Sequence, residues 1–211
     1  MKYVIFDLDN TLYPKEVGLF KLVDQRINEY MRVELGIDYD LVENLRLKYM
    51  DQYGTTLGGL IIHHGVNPDE YLHYVHDISL EDLLSTDFEL CKLLEDILLE
   101  KVIFTNGSFN HAIKVLKILG IDRYFSRIFD IKFMSYLAKP NLWSYKKLLD
   151  TLDVKGKDCL MVEDLARNLL PAKKLGMTTI LVGEEESVDV DFIIDNILSM
   201  NEVFSEIGLS Q

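Results

Sequence analysis

Short apolar runs alternate with amphipathic segments along most of this chain. The runs have the length of strands buried on both faces, at residues 3–6, 101–104, 128–132, 159–162, 178–182 and 192–194. Apolar residues recur at three- and four-residue steps, as in helices, at 87–98, 111–119, 142–152, 166–175 and 197–207. This alternation predicts an α/β fold with a parallel sheet and right-handed crossovers.

The stretch that follows the first strand carries helix signals only. Apolar residues from Leu19 onwards fall mostly on one helical face, and Asn67-Pro68 has the form of a helix start. No strand pattern interrupts this stretch. We therefore expect a helical cap at residues 15–79, inserted into an α/β core made of residues 1–14 and 80–211.

Composition and charge narrow the classes of partner. The chain has 211 residues, of which 48% are hydrophobic and 27% charged, as in an ordinary globular protein. Its net charge of -13 would repel a nucleic acid polymer and the anionic face of a membrane. A small phosphorylated ligand remains possible, because a local metal and one or two basic residues can balance its charge.

Other sequence signals are few. Cys91 and Cys159 have no metal-binding or redox spacing, and we expect two buried thiols in a reducing compartment. There is no signal-peptide pattern and no apolar run near the roughly 20 residues that span a bilayer. We therefore expect a cytoplasmic protein. The acidic run at residues 184–186 is expected to be a solvated loop without a role.

Carboxylates follow two of the predicted strands at the point where each ends. Asp7 and Asp9 come directly after the first strand, and Glu163-Asp164 follows the strand at 159–162. Ligands of open α/β sheets bind beyond the carboxyl ends of the strands. Adjacent carboxylates repel each other unless a cation or a proton compensates, and Mg²⁺ binds through one or two carboxylates plus other oxygens. The pattern indicates a Mg²⁺ site, although acidic turns and helix caps would also explain it.

Two further clusters suit a phosphoryl group. Thr105-Asn106-Gly107-Ser108 opens a helix with donor groups after the second strand, and Lys139 precedes another helix start. Each has a simpler alternative, since Asn106 or Ser108 can serve as a helix cap and Lys139 can be a solvated side chain.

Taken together and in order, the four clusters resemble the motifs of the haloacid dehalogenase-like hydrolase superfamily. The resemblance covers essentially the whole chain and implies a Rossmann-like, doubly wound parallel sheet with an inserted helical cap of the type placed after the first motif. A narrower likeness, to the pyrimidine 5'-nucleotidase branch, is carried by residues 6–14, by cap residues 49–54, 58–60 and 63–71, and by 110–121.

The resemblance implies a role for each motif residue. Asp7 would attack phosphorus and form an aspartyl-phosphate, and Asp9 would act as general acid and then as general base. Mg²⁺ would be bound by Asp7, the Asp9 backbone carbonyl and Asp164, with Glu163 acting directly or through water. The residues implied in phosphate binding are Asn10, Thr105, Asn106 and Lys139, the last of which also counts as catalytic.

Two features leave alternatives open. The chain has Glu163-Asp164-Leu165 where relatives commonly have Asp-Asp-Ser, so Leu165 lacks a hydroxyl that could support the metal site. His63 and His64 are either substrate contacts or a packed pair at a helix end. The cap tyrosines, together with Tyr13, form either a stacking wall for a base or the core of the cap.

The sequence therefore predicts a Mg²⁺-dependent phosphomonoesterase, with pyrimidine nucleoside 5'-monophosphates as the expected substrates. Asp9 favours phosphoester hydrolysis, since the dehalogenases and phosphonatases of the superfamily lack a carboxylate at that position. One alternative is a phosphatase for another small metabolite, such as a sugar phosphate, phosphoglycolate or pyridoxal phosphate. Another is a sensor that binds a phosphorylated ligand without turnover, which would be expected to have lost catalytic side chains. The sequence does not indicate an oligomeric state.

Overall fold

One parallel sheet forms the centre of the computed structural model, which describes residues 1–183 and 189–209. Six strands pair side by side in the order β3-β2-β1-β4-β5-β6. They are β1 (Tyr3–Phe6), β2 (Glu100–Phe104), β3 (Arg127–Phe129), β4 (Cys159–Glu163), β5 (Thr178–Val182) and β6 (Phe192–Ile194). The predicted α/β fold with a doubly wound parallel sheet is confirmed. The acidic run at 184–186 lies outside the described residues.

Helices connect the strands and fill the stretch between β1 and β2. They are α1 (Leu19–Val33), α2 (Tyr39–Tyr53), α3 (Thr56–His64), α4 (Pro68–Val75), α5 (Phe88–Asp96), α6 (Phe109–Leu119), α7 (Leu142–Leu152), α8 (Ala166–Lys174) and α9 (Met200–Glu206). We call α1–α4 the cap helices. The predicted start of α4 is confirmed, because the Asn67 side chain accepts from the backbone N–H groups of Asp69 and Glu70. In the part of the chain that the structure describes, none of the helices is long and apolar enough to cross a membrane.

The order of the strands determines where a site can form. β1 lies between β2 and β4, and Val4, Ile5 and Phe6 are completely buried, as expected for a central strand. From β1 the sheet continues through β2 to β3 on one side and through β4 to β5 and β6 on the other. The carboxyl ends of β1 and β4 therefore flank the point at which the strand order reverses, where open α/β sheets bind their ligands.

One strand is shorter than its apolar pattern indicates. Residues 128–132 were expected to form a strand, whereas β3 ends at Phe129. The reason is Asp130, whose carboxylate accepts hydrogen bonds from the backbone N–H groups of Phe109 and Phe133 and so turns the chain away from the sheet. Ile131 is buried outside the sheet, which explains why it contributes to the apolar run.

Cap helices α2 and α3 pack against each other without an intervening side chain at one point. A Cβ atom placed on Gly59 of α3 would lie 2.1 Å from Cγ of Tyr49 in α2. Beside this contact, the hydroxyl of Tyr49 lies 3.0 Å from Nε2 of His64, and that of Tyr53 lies 2.8 Å from Nε2 of His63. The paired histidines and tyrosines thus fasten these two helices together.

Candidate active site

A buried lysine joins the carboxylates at the ends of β1 and β4. The Nζ of Lys139 donates to Oδ1 of Asp7 at 2.6 Å and to Oε1 of Glu163 at 2.7 Å. The lysine side chain is 1% exposed. Its two anionic partners raise the pKa of Lys139 above its usual value even though burial acts in the opposite direction. Lys139 is therefore a fixed cation between the two strand ends.

Asn106 positions this lysine through its backbone. The Asn106 side chain accepts from the Lys139 N–H at 2.8 Å and donates to the Lys139 carbonyl at 3.2 Å. Asn106 was expected to bind phosphate, and the structure gives its side chain this second task. The neighbouring Thr105 hydroxyl accepts from the backbone N–H of Gly107 at 2.9 Å, which shapes the turn after β2.

Glu163 is held in place by three donors. Besides Lys139, Nδ2 of Asn168 donates to its Oε1 at 2.6 Å and the backbone N–H of Leu165 donates to its Oε2 at 2.8 Å. The Glu163 residue is 1% exposed. The longer glutamate is thus accommodated because the start of α8 folds back onto it.

Three carboxylates come close enough to share one cation. Asp7, Glu163 and Asp164 each offer an oxygen, and these oxygens lie within 4.8 Å of one another. Burial, followed by the charges of Asp7 and Glu163, raises the pKa of Asp164 to about 9. Burial also raises the pKa of Asp7 to about 7, with Lys139 opposing the shift. Three carboxylates stand against the single cation of Lys139, and such an excess of oxygen donors fits a hard divalent cation such as Mg²⁺.

Asp9 lies beside this group in a different environment. The Tyr13 hydroxyl donates to its Oδ1 at 2.6 Å, and Nε2 of His111 lies 2.8 Å from the same oxygen. Burial opposes the charged form of Asp9, but the contacts with His111 and Tyr13 prevail and lower its pKa to about 2. The ring of His111 in turn stacks on His76, directly after α4, with centroids 4.3 Å apart. Asp9 is therefore linked to the cap helices through two histidine rings.

A cavity of about 300 Å³ opens above these residues and extends between the sheet and the cap helices. Asp7, Asp9, Thr105, Asn106, Lys139, Glu163 and Asp164 line it, so it brings together the motif residues of all four clusters. Asn10 also lines it, with a positive φ of 62° and a buried Oδ1 that has no partner among the described residues. That unsatisfied acceptor favours a donor from a ligand.

The cap helices line this cavity mostly with apolar side chains, together with one ion pair. Its apolar lining includes Phe20, Val23 and Ile27 of α1 and Leu72 and Val75 of α4. The charged pair is Arg46 of α2 with Asp24 of α1. His63, His64, Tyr49 and Tyr53 are not among the lining residues. Of the two alternatives left open for them, the structure favours the packed arrangement.

The sequence did not indicate the contacts that three side chains make in this region. The sequence indicates Tyr13 as part of either a stacking wall or the cap core, indicates His111 only through a resemblance, and does not single out Arg46. A signal for Arg46 existed, because Val42, Arg46 and Tyr49 follow helical spacing and are the buried residues of α2. An arginine on the buried face of a helix needs partners, and this makes it a candidate for function.

Comparisons with known proteins show which proteins this chain resembles. The chain is 35% identical over 136 residues to "Phosphate metabolism protein 8" of Saccharomyces cerevisiae. This alignment covers 60% of the chain and 42% of the yeast protein. The chain thus spans less than half the length of that relative. It is 24% identical to "Glyceraldehyde 3-phosphate phosphatase" of Methanocaldococcus jannaschii over 90% of the chain and 89% of the relative.

Solved structures share the fold. CbbY from Rhodobacter sphaeroides, solved in complex with phosphate, superposes with a TM-score of 0.69 at 19% identity over 95% of this chain and 96% of the other. A phosphatase from Thermococcus onnurineus superposes with a TM-score of 0.65 at 20% identity, over 97% of this chain and 98% of the other. A family model described as haloacid dehalogenase-like hydrolase matches residues 1–176. Since that match covers most of the 211 residues, the chain belongs to the haloacid dehalogenase-like hydrolase family.

Proposed function

We propose that this chain is a Mg²⁺-dependent phosphomonoesterase that works through an aspartyl-phosphate on Asp7 and acts on pyrimidine nucleoside 5'-monophosphates. The observation that carries the proposal is the convergence of Asp7, Asp9, Lys139 and Asp164 on one cavity at the reversal point of the sheet. Each of these residues comes from a different motif or position of the family pattern.

In the first step, a carboxylate oxygen of Asp7 attacks phosphorus and the bond between phosphorus and the leaving oxygen breaks. Lys139 orients Asp7 and balances the charge that gathers there, because its Nζ lies 2.6 Å from Oδ1 of Asp7. The leaving oxygen takes a proton from Asp9. A bound phosphate monoester places like charge beside Asp9, which raises its pKa and favours the protonated form that this step needs.

In the second step, water attacks the phosphorus of the aspartyl-phosphate. Asp9, now a carboxylate, accepts a proton from that water, and the bond between phosphorus and Asp7 breaks to release inorganic phosphate. The low pKa of Asp9, about 2 in the structure, fits this role because the carboxylate is ionised at neutral pH. Tyr13 and His111 hold it in one orientation.

The residues placed to bind Mg²⁺ are Asp7, Glu163 and Asp164, and the family resemblance adds the backbone carbonyl of Asp9. A bound divalent cation would neutralise negative charge on the transferring phosphoryl group. Of the two acids in the fourth motif, Asp164 is the better candidate for direct contact. Glu163 already accepts from Lys139, Asn168 and the Leu165 backbone, which favours an outer position for it.

Support for a pyrimidine nucleotide comes from the cap resemblance. The cavity volume of about 300 Å³ falls in the range of sites that bind small molecules.

A second candidate is a phosphatase for a small sugar or triose phosphate. The observation in its favour is the archaeal relative named as a glyceraldehyde 3-phosphate phosphatase, because that match extends over 90% of this chain.

Phosphate release from a panel of monophosphates in the presence of Mg²⁺ tests the proposal. UMP and CMP should give a higher kcat/KM than AMP, GMP, glyceraldehyde 3-phosphate, phosphoglycolate and pyridoxal phosphate. Asp7→Asn should remove turnover, while Asp150→Asn, an exposed carboxylate on α7, serves as the matched control. Hydrolysis that prefers the triose phosphate would favour the second candidate, and no hydrolysis of any of these esters would refute both.

A further inference from the structure

An arginine in the cap is buried at the wall of the active-site cavity, and its Nε–H lacks a hydrogen-bond partner among the described residues. Nη1 of Arg46 donates to Oδ1 of Asn28 at 2.7 Å, and its Nη2 donates to the carboxylate of Asp24. Its Nε is buried and has no hydrogen-bond partner among the described residues. The arginine side chain is 10% exposed. Leaving a buried guanidinium donor unpaired costs free energy, so an acceptor that reaches this N–H would be stabilised.

Asp24 gives this wall an acceptor beside the donor. Its side chain is 40% exposed and lines the same cavity as Arg46. The two charges compensate each other, so this pair presents no excess positive charge to a second phosphate or a carboxylate. Tyr71 of α4 also lies on this wall and is buried.

Building on the proposed function, we propose that Arg46 and Asp24 form a subsite for the leaving group of the phosphomonoester. The subsite selects a neutral group in which a hydrogen-bond acceptor lies next to a donor. The edge of a pyrimidine base has this pattern, since uracil presents a carbonyl beside N3–H and cytosine presents N3 beside an amino group. The apolar side chains of α1 and α4 that line the cavity would contact the faces of the ring.

The ion pair also disfavours substrates with an anionic leaving group. An anionic leaving group would meet the carboxylate of Asp24, and its repulsion would cancel the attraction of Arg46. Removing the aspartate charge should therefore favour substrates that carry a carboxylate.

The first test compares Arg46→Met and Arg46→Lys with the wild type on UMP and on methyl phosphate, with Mg²⁺ present. Arg46→Met should lower kcat/KM for UMP by about 10- to 100-fold, mostly through KM, because a hydrogen bond to a charged group is lost. The loss on methyl phosphate, which has no base, should be much smaller. Arg46→Lys retains the charge but not the Nε–H, and we expect it to show the same preference in weaker form.

Arg26→Met is the matched control. Arg26 lies on α1, pairs with Glu29 and donates to the Tyr74 carbonyl, so it also ties cap helices together, but it does not line the cavity. Its replacement should leave both substrates unaffected.

The second test uses a gain that a misfolded protein could not produce. Asp24→Asn should raise kcat/KM for phosphoglycolate relative to UMP, because the charge of Arg46 is then unbalanced. Equal losses on UMP and methyl phosphate in Arg46→Met, or no gain for phosphoglycolate in Asp24→Asn, would refute the subsite alone. If the wild type hydrolyses neither UMP nor methyl phosphate, the proposed function fails as well.

Discussion

Lys139 is the residue on which the charge balance of the site depends. It lies between Asp7 and Glu163, and all three side chains are almost completely buried. Removing one partner of such a group leaves charge that neither water nor another side chain compensates, and this typically lowers stability by about 3–5 kcal/mol.

We expect Lys139→Met to lower the free energy of unfolding by about 3 kcal/mol at pH 8 and by less at pH 5. At the lower pH Asp7, whose pKa is about 7, carries a proton and no longer needs the cation. Urea unfolding at the two pH values measures the difference, and exposed Lys146→Met is the control. Equal losses at both pH values would mean that the charge of Asp7 contributes nothing to the effect, which would leave the pairing with Glu163 and the packing of Lys139 as its cause.

His111 offers a second prediction at this scale. His111→Phe retains a ring that can stack on His76 but removes the contact with Asp9. We expect kcat to fall about ten-fold or more with little change in KM, because acid–base catalysis by Asp9 depends on its orientation. Steady-state kinetics on UMP would measure both constants, and an unchanged kcat would show that Tyr13 alone is sufficient to orient Asp9.

At the residue scale, the sequence predicts a site residue when the residues beside it in the chain form a recognisable pattern. Asp7, Lys139 and Asp164 stand next to strand ends or helix starts, so pattern and resemblance both indicate them. Arg46 and His111 lie inside helices, and their importance depends on side chains 18 to 102 residues away. Only the folded chain brings those partners together.

At the contact between helices α2 and α3, side-chain packing affects stability more than intrinsic helix propensity does. Gly59→Ala should improve the intrinsic helix propensity of α3 by up to about 1 kcal/mol. The added methyl group would, however, overlap the ring of Tyr49, at 2.1 Å from its Cγ. We expect a net loss of about 1–3 kcal/mol in the free energy of unfolding, since overpacking outweighs propensity.

Ile62→Ala on the same helix is the control, because Ile62 is 62% exposed and should change stability by less than about 0.5 kcal/mol. Chemical denaturation of the three proteins would compare them. A stabilised Gly59→Ala protein would mean that Tyr49 can move aside without cost.

Elements are predicted well where local chemistry agrees with the tertiary environment. Asn67 begins α4 and the apolar run of β1 ends at Asp7, as expected. The strand at 128–132 was wrong in length because Asp130 has partners in α6 and in the turn after β3, which no local pattern reveals. The division of the chain into a cap at 15–79 and a core remains a prediction.

The whole molecule should respond to pH through its carboxylate cluster. The pKa values of Asp7 and Asp164, about 7 and about 9, are raised above the usual value near 4. At pH values between the usual carboxyl pKa near 4 and these raised pKa values, the folded state binds more protons than the unfolded state. The stability of the metal-free protein therefore falls as pH rises through this window.

We expect Mg²⁺ to raise Tm more at pH 8 than at pH 5, because the cation replaces protons that are lost at the higher pH. Asp164→Asn should remove most of this increase and should itself raise the Tm of the metal-free protein at pH 8. Thermal unfolding in EDTA and in Mg²⁺ tests both expectations. A Mg²⁺ effect of equal size at both pH values would place the bound cation elsewhere.

The central place of β1 in the sheet also affects how the chain is synthesised. β1 leaves the ribosome before its two neighbours, β2 and β4, which follow about 100 and 160 residues later. The cap helices lie between them in the sequence and pack on one another, so they can form before β2 is made. Until β2 arrives, the apolar strand that ends at Asp7 has unpaired edges. The strand that ends at Asp7 is thus open to wrong pairing during synthesis, and a chaperone that covers its edges would reduce that risk.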